Sequence, residues 1–234
     1  MSPRAGAADV EELVFELPGG GRAMFTQRDA GNLSTGAGDG HEQGLRRRGE
    51  ICERLGLRWL CSSRQVHGTT VNTIAALSGS GGTALAIDAD GHATALRGVG
   101  AMVLAADCLP VALGCEGAVA VVHAGWRGLA AGVLEQGVLA LRDRGGGAPI
   151  AAVVGPGAGV CCYEVGAEVH AAFGGAHRVG ANLDLRAIAH ERLLAAGVGR
   201  VLDVDACTIC DARFFSHRRE GAHAGRHAGL AWLS

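Results

Sequence analysis

The chain contains no lysine: all 21 of its basic residues are arginine. That absence removes whole classes of chemistry. Schiff-base catalysis, a lysine general base and the phosphate-binding lysine of a P-loop are excluded. Any phosphate must be held by arginine, backbone N–H groups or a helix N-terminus. Aromatic residues are scarce, at 4% of 234 positions with Tyr163 the one tyrosine, so the 48% apolar content comes mostly from Ala, Val and Leu. Neither sign of charge dominates: the net charge of −2 gives no general attraction to nucleic acid or to an acidic membrane. Long apolar runs are also missing. The most apolar stretch, 99–123, is interrupted by Asp107, Pro110 and Glu116 and reads as buried strands, not a membrane span. Residues 1–12 are expected to form a flexible leader, with Asp9, Glu11 and Glu12 breaking any signal-peptide core. The expectation is a cytoplasmic protein whose eight cysteines are reduced thiols and not a disulfide framework. Nothing in the pattern specifies an oligomeric state.

What is present reads as a single α+β domain over 13–234, without a linker or a repeat of 20–50 residues. Residues 30–44 are rich in Gly and polar side chains. Apolar spacing predicts a helix over about 43–55, stopped by Gly56. Strand-like runs follow at about 58–66 and 69–76, then a Gly/Ser loop at 77–83. Residues 99–105 and 118–122 are continuous apolar runs bounded by glycine, the signature of strands buried on both faces. A helix is predicted from about Arg127 to the Gly145–Gly147 run, a strand at 150–154, and a helix at about 164–172. Asp184 is the predicted N-cap of a helix over 185–196, and 201–204 the next strand. His223 and His227 lie among glycines and read as a solvated tail.

Three separated residues carry the chemistry. They are His67 in Arg64-Gln65-Val66-His67-Gly68, Cys108 in Ala106-Asp107-Cys108-Leu109-Pro110-Val111, and His123 in His123-Ala124-Gly125-Trp126-Arg127-Gly128. Two imidazoles and one thiolate suit zinc and leave its fourth position open, as a catalytic site requires. A metal with a free position activates water near neutral pH. Copper is a possible occupant, since affinity rises toward Cu²⁺ along the divalent series. His67 and Cys108 are 41 positions apart, too far for a zinc finger, so only folding brings these ligands together. Cys108 and His123 each follow a predicted strand, and strand ends over a rigid sheet fix side chains well.

Secondary candidates surround them. Arg127, at a glycine-flanked helix start, could clamp phosphate or simply belong to an ordinary strand-to-helix turn, and Asp107 could orient a ligand or take a substrate proton or equally cap a local turn. Arg64 is a candidate substrate contact; Asn32 and Ser34 lie in a loop where a nucleoside could be held, although turn formation explains them equally well. Trp126 reads as a core residue. The lone Cys207-Thr208-Ile209-Cys210 pattern is a weak metal signal; Cys161 and Cys162 could complete a four-thiolate zinc site with it, but buried free thiols are the better reading.

Gln-Val-His-Gly, Ala-Asp-Cys-Leu-Pro-Val and His-Ala-Gly-Trp-Arg-Gly, in that order, resemble the multicopper-oxidase-like laccase-domain family, whose members are also called peptidoglycan editing factors or purine nucleoside phosphorylases. Asn32-Leu33-Ser34, Asp90 with Thr94, Cys161-Cys162-Tyr163-Glu164-Val165-Gly166 and Phe214-Phe215-Ser216-His217-Arg218-Arg219 match as well, and the resemblance runs from about residue 24 to the C-terminus. His217 stands where relatives often have Tyr. The resemblance implies mixed β-sheets packed in a layered sandwich with helices outside, and a metal held by His67, Cys108 and His123. It further implies phosphorolysis of adenosine, inosine, guanosine and methylthioadenosine, with deamination of adenosine, so that purine nucleosides and phosphate are the expected partners. Three other readings stay open. Cys108 with a histidine could form a thiolate–imidazole pair for amide hydrolysis, editing UDP-muramyl precursors of peptidoglycan. A copper-dependent polyphenol oxidase is implied by the family's older name, although the chain lacks a His-x-His pair. A metal-binding accessory protein would hold an ion without turnover.

Overall fold

The computed structural model describes residues 13–36, 39–77, 87–147 and 149–234; the expected leader and most of the expected Gly/Ser loop lie outside them. The largest apolar runs form the centre. β7 (Leu109–Cys115) and β8 (Ala118–Ala124) are buried at every position and pair antiparallel, with Leu109 opposite Ala124 and Pro110 opposite His123. β5 (Gly91–Thr94) adds to β8, and β4 (Val71–Ile74) adds parallel to β5. On the other side β9 (Ala151–Val154) joins β7, and β12 (Arg200–Asp203) joins β9 in parallel. This six-stranded mixed sheet runs in the order β12-β9-β7-β8-β5-β4.

A five-stranded sheet packs against it. β1 (Leu13–Leu17) and β2 (Gly21–Phe25) form a hairpin, β13 (His227–Leu233) pairs with β2 and with β6 (Val99–Ala105), and β3 (Trp59–Cys61) closes the edge. Period-two alternation sorts the side chains into layers. Ala101 and Val103 of β6, Phe25 of β2, Ala112 of β7 and Val119 and Val121 of β8 meet in the slab between the sheets. The alternate residues face outward to helices. Val111, Leu113 and Val122 pack on α3 (Val133–Arg142) and α5 (Leu185–Ala195), while Met102 and Leu230 pack near Ile51 of α1 (Asp39–Leu55). The result is a helix–sheet–sheet–helix sandwich, as expected. A small hairpin of β10 (Arg178–Val179) and β11 (Asn182–Leu183) and the short helices α2 (Trp126–Ala131), α4 (Ala167–Ala172) and α6 (His217–Glu220) complete the described residues.

Several sequence expectations shift. The helix expected from Arg127 onward is two helices, broken at Gly132, whose φ of +97° only glycine adopts easily. The runs at 58–66 and 69–76 shrink to β3 and β4, because Arg64 is held by a single bridge to Asp88 instead of a ladder. Asp184 does cap α5, accepting from the Ala187 N–H at 2.9 Å. The solvated tail is corrected: residues 227–233 form a fully buried strand in the middle of the five-stranded sheet, and His227 is 0% exposed. Its glycine mimics a loop signal but serves packing, since a Cβ on Gly229 would come within 2.6 Å of the Pro110 Cβ.

Candidate metal centre

The three candidate ligands meet where β6, β7 and β8 end. His123 is the penultimate residue of β8, and Cys108 immediately precedes β7. Because Leu109 pairs with Ala124, Cys108 lies beside the turn at Gly125. His67 comes from the connection between β3 and β4 and reaches in with φ of +58°, a conformation uncommon for a side-chain-bearing residue. The metal-capable atoms of His67, Cys108 and His123 lie within 4.8 Å of one another. Cys108 Sγ is 3.9 Å from His67 Nε2, and the two imidazole rings are edge to face with centroids 4.9 Å apart.

A fully buried carboxylate makes this geometry possible. Asp90 receives the backbone N–H groups of Val66, His67 and Gly68 at 3.1, 3.0 and 2.7 Å, and lies 2.8 Å from His123 Nδ1. One side chain therefore fixes both the strained turn that presents His67 and the orientation of His123. With Nδ1 facing Asp90, His123 presents Nε2 to the centre; a carboxylate behind a ligating imidazole is a common device for raising its basicity. Burial raises the Asp90 pKa, but the His123 imidazole and the Gly68 and Val66 N–H groups outweigh it, and the carboxyl stays below its usual range. In the sequence Asp90 stands out only through the family resemblance, with no role attached. Its local signal, one acid before a short Gly-His-Ala-Thr strand, is shared by many turns.

The electrostatics favour a soft-donor site. Burial pushes the Cys108 thiol up, but His123 and His67 together bring it well below a free thiol. Burial works in the opposite sense on His123, and the Cys108 sulfur with Asp90 holds its imidazole above the usual value. The sulfur is thus held toward its thiolate form and the imidazole toward its protonated form, a pairing in which a metal ion can replace the imidazolium proton. Space is reserved as well: a Cβ on Gly125 would stand 2.8 Å from His67 Cδ2 and 3.0 Å from Cys108 Sγ. The donor set, its separation and this reserved space fit one divalent ion, and the exposure of His67 leaves a side open to solvent.

Two clefts share His67 and Cys108. One, of about 240 Å³, is lined by Ser34, Gln65, His123 and Arg226 among others. The other, of about 350 Å³, is lined by Asp107, Trp126, Arg127, Tyr163, His217 and Arg218. Volumes of this order suit small-molecule ligands. Burial pushes the Tyr163 phenol up to about 12, so it enters the cleft as a hydrogen-bond donor, and the Arg218 guanidinium stacks 4.9 Å from its ring centroid. Trp126 is only partly buried and carries the Arg127 guanidinium 4.4 Å above its ring, so it is a cleft wall more than a core residue.

The other candidates are placed as follows. Asp107, with φ of +93°, accepts from Thr208 Oγ1 and from the Arg218 backbone N–H, both at 2.7 Å. Arg64 makes a bidentate pair with Asp88 at 2.6 Å and does not line either cleft. Asn32 Oδ1 accepts from the Ser34 and Arg226 backbone N–H groups at 3.0 and 2.8 Å, tying Ser34 to the cleft that Arg226 closes. Gln65 uses both ends of its amide on the Leu104 backbone at 2.7 Å, which anchors the His67 turn to β6.

Fold and site define a layered α/β protein with an open three-donor centre at its strand ends. Residues 19–234 match the family described as multi-copper polyphenol oxidoreductase laccase, and the chain belongs to that family. A curated relative from Xylella fastidiosa, named purine nucleoside phosphorylase, is 41% identical over 92% of this chain and 88% of its own length. A protein of an unknown prokaryote named adenosine deaminase RL5 is 36% identical over 60% of this chain and 64% of its own. A crystal structure of a Neisseria meningitidis protein superposes with a TM-score of 0.80 at 33% identity, covering 95% of this chain and 99% of that one. No helix among the described residues is long and apolar enough to cross a membrane.

Proposed function

We propose that this chain is a metal-dependent purine nucleoside enzyme that cleaves purine nucleosides with phosphate and deaminates adenosine. The observation that carries the reading is the convergence of His67, Cys108 and His123, braced by Asp90, where two clefts share His67 and Cys108. The relatives named purine nucleoside phosphorylase and adenosine deaminase support the choice of substrate.

His67 Nε2, Cys108 Sγ and His123 Nε2 are the atoms assigned to hold the ion, with zinc the expected species. Bound there, it supplies Lewis acidity toward a water or a substrate oxygen. The protein does the rest. Asp90 keeps His123 in one tautomer. Tyr163 and Trp126 give the base and ribose flat apolar surfaces and one hydroxyl donor. Arg127, exposed at the cleft rim, is assigned to phosphate; the lack of lysine leaves this work to arginine. Asp107 is assigned to orient the purine base: its two oxygens already order Thr208 and Arg218, and each retains a further lone pair that can accept a hydrogen bond from a base N–H. Ser34 is assigned a substrate contact, with Asn32 holding the Ser34 and Arg226 backbone in place behind it; Arg64, paired with Asp88, stands outside both clefts.

One observation favours a second reading. Without metal, Cys108 and its imidazoles form a thiolate–imidazole pair, the arrangement of a cysteine amidase. Both readings need Cys108, and metal dependence separates them. A copper oxidase needs a histidine-rich cluster beyond a mononuclear site; among the described residues, the groups able to hold a metal are this trio and a set of four thiols. Adenosine turnover by metal-loaded and metal-stripped protein, with and without phosphate, tests the proposal.

A further inference from the structure

The four thiols are Cys161, Cys162, Cys207 and Cys210; they are free, as the sequence reading has them, but the expectation that they are buried is corrected. Cys161 and Cys210 are exposed, and Cys162 and Cys207 partly so. They gather because β9 and β12 are parallel neighbours, so the loops that leave them run side by side. A bridge between Gly157 and Cys207 continues that pairing past the strand ends. The four Sγ atoms lie within 4.8 Å of one another. Cys210 Sγ stands 3.5 Å from that of Cys161 and 2.8 Å from that of Cys162, and all four are free cysteines.

A tetrahedral ion with Zn–S bonds of about 2.3 Å sets its sulfurs about 3.8 Å apart. The separations of 2.8 and 3.5 Å lie short of that edge, and no pair among the four exceeds 4.8 Å, so all four sulfurs stand within reach of one ion. The surroundings suit thiolates. The Gly159 backbone N–H donates to Cys207 Sγ at 3.2 Å. Arg219 Nη1 donates to the carbonyls of Thr208 and Ile209 at 2.7 and 3.0 Å. It thus braces the Cys-x-x-Cys turn and sets a positive charge beside a site where four thiolates and one divalent ion would leave net negative charge. Gly159 is also committed, since a Cβ there would meet Cys207 Cβ at 2.9 Å and the sulfurs of Cys207 and Cys161 at 3.2 and 3.3 Å.

We propose that Cys161, Cys162, Cys207 and Cys210 form a second metal site, a tetrathiolate centre for a zinc-type divalent ion. A complete set of four protein ligands leaves no open position, so the site is structural. It clamps together two loops that bear on the larger of the two clefts, one through a lining residue and the other through a hydrogen bond to one. The first loop ends in Tyr163; the second carries Thr208, whose hydroxyl donates to Asp107. The proposal stands whether or not the nucleoside reading holds.

The test uses protein purified without chelator and with His67→Ala and Cys108→Ala, which disable the three-donor centre. About one zinc per chain should remain by mass spectrometry. Exchange for cobalt should give the intense visible bands of tetrahedral thiolate coordination. Adding Cys207→Ser and Cys210→Ser should remove both signals, whereas Cys52→Ser, at a cysteine far along the chain, should keep them. A further readout needs no disabled background: Cys161→Ser in the otherwise unaltered chain should lose one of about two bound ions. Absence of metal in the two-site-mutant background would overturn the proposal, whether thiol counting then finds four free cysteines or a Cys162–Cys210 disulfide.

Discussion

The carboxylate of Asp90 lies 2.8 Å from Nδ1 of His123, while the same carboxylate accepts three successive backbone N–H groups from the turn that carries His67. Two ligands from opposite edges of the site are thereby set by one buried side chain. Asp90→Asn keeps the size but turns one oxygen into an NH₂ that opposes those donors. Metal affinity should fall by about 10- to 100-fold, measured by competition with a chromophoric chelator. Unchanged affinity would remove Asp90 from its positioning role.

Gly125→Ala tests the space reserved between ligands. The backbone there, with φ of −71°, tolerates alanine, so the cost is the contact with His67 and Cys108 alone. Overpacking of this kind costs about 1–3 kcal/mol, enough for about a tenfold or greater loss of metal affinity. The circular dichroism spectrum should stay that of the parent chain. Full metal affinity would show that the ligands sit farther from Gly125 than the account requires.

Arg127→Ala separates the two reactions. A charge-assisted hydrogen bond contributes about 1.5–3 kcal/mol, so the phosphate KM should rise by about 10- to 100-fold. Deamination, which uses no phosphate, should change little. Equal loss of both activities would take Arg127 out of the phosphate site.

The pH dependence of stability follows from two buried histidines. His92 and His227 are 1% and 0% exposed, and burial pushes each imidazole down to about 4 from 6.5. Above pH 6.5 neither the folded nor the unfolded chain protonates them, and full stability is present. As pH falls toward 4 the unfolded chain gains protons that the fold refuses. Stability is lost progressively across that window, by on the order of 3 kcal/mol per histidine once both states are charged. Urea midpoints between pH 7 and pH 4.5 should fall more steeply for the parent chain than for His227→Gln. Parallel slopes would contradict the assignment for His227.

Some of this was legible in the sequence and some was not, for physical reasons. Residues 99–105 and 118–122 announced themselves as strands because both of their faces are buried and no polar residue interrupts them. Asp184 revealed a helix start because capping is local. His67, Cys108 and His123 stood out through their motifs, but their spacing could not show that they meet. The links that assemble the site are long-range: Asp90 reaches back 22 to 24 positions and forward 33. The same holds for the cysteine cluster, whose two halves are brought together by the β9–β12 pairing and the bridge that continues it. Strand β13 was hidden because Gly225 and Gly229 look like loop residues, while each is required by a neighbouring ring: Phe215 lies within 2.5 Å of a Cβ at the first and Pro110 within 2.6 Å at the second.

The measurement that bears most directly on the central claim is metal content and adenosine turnover, taken on the same preparations of the parent chain and of His123→Ala. His123→Ala should lose about one ion per chain and, with it, release of both adenine in phosphate and inosine in its absence. The parent chain stripped by chelator should lose turnover in parallel and regain it with zinc. Full turnover by the stripped chain, or by His123→Ala without the ion, would contradict a metal-dependent nucleoside enzyme.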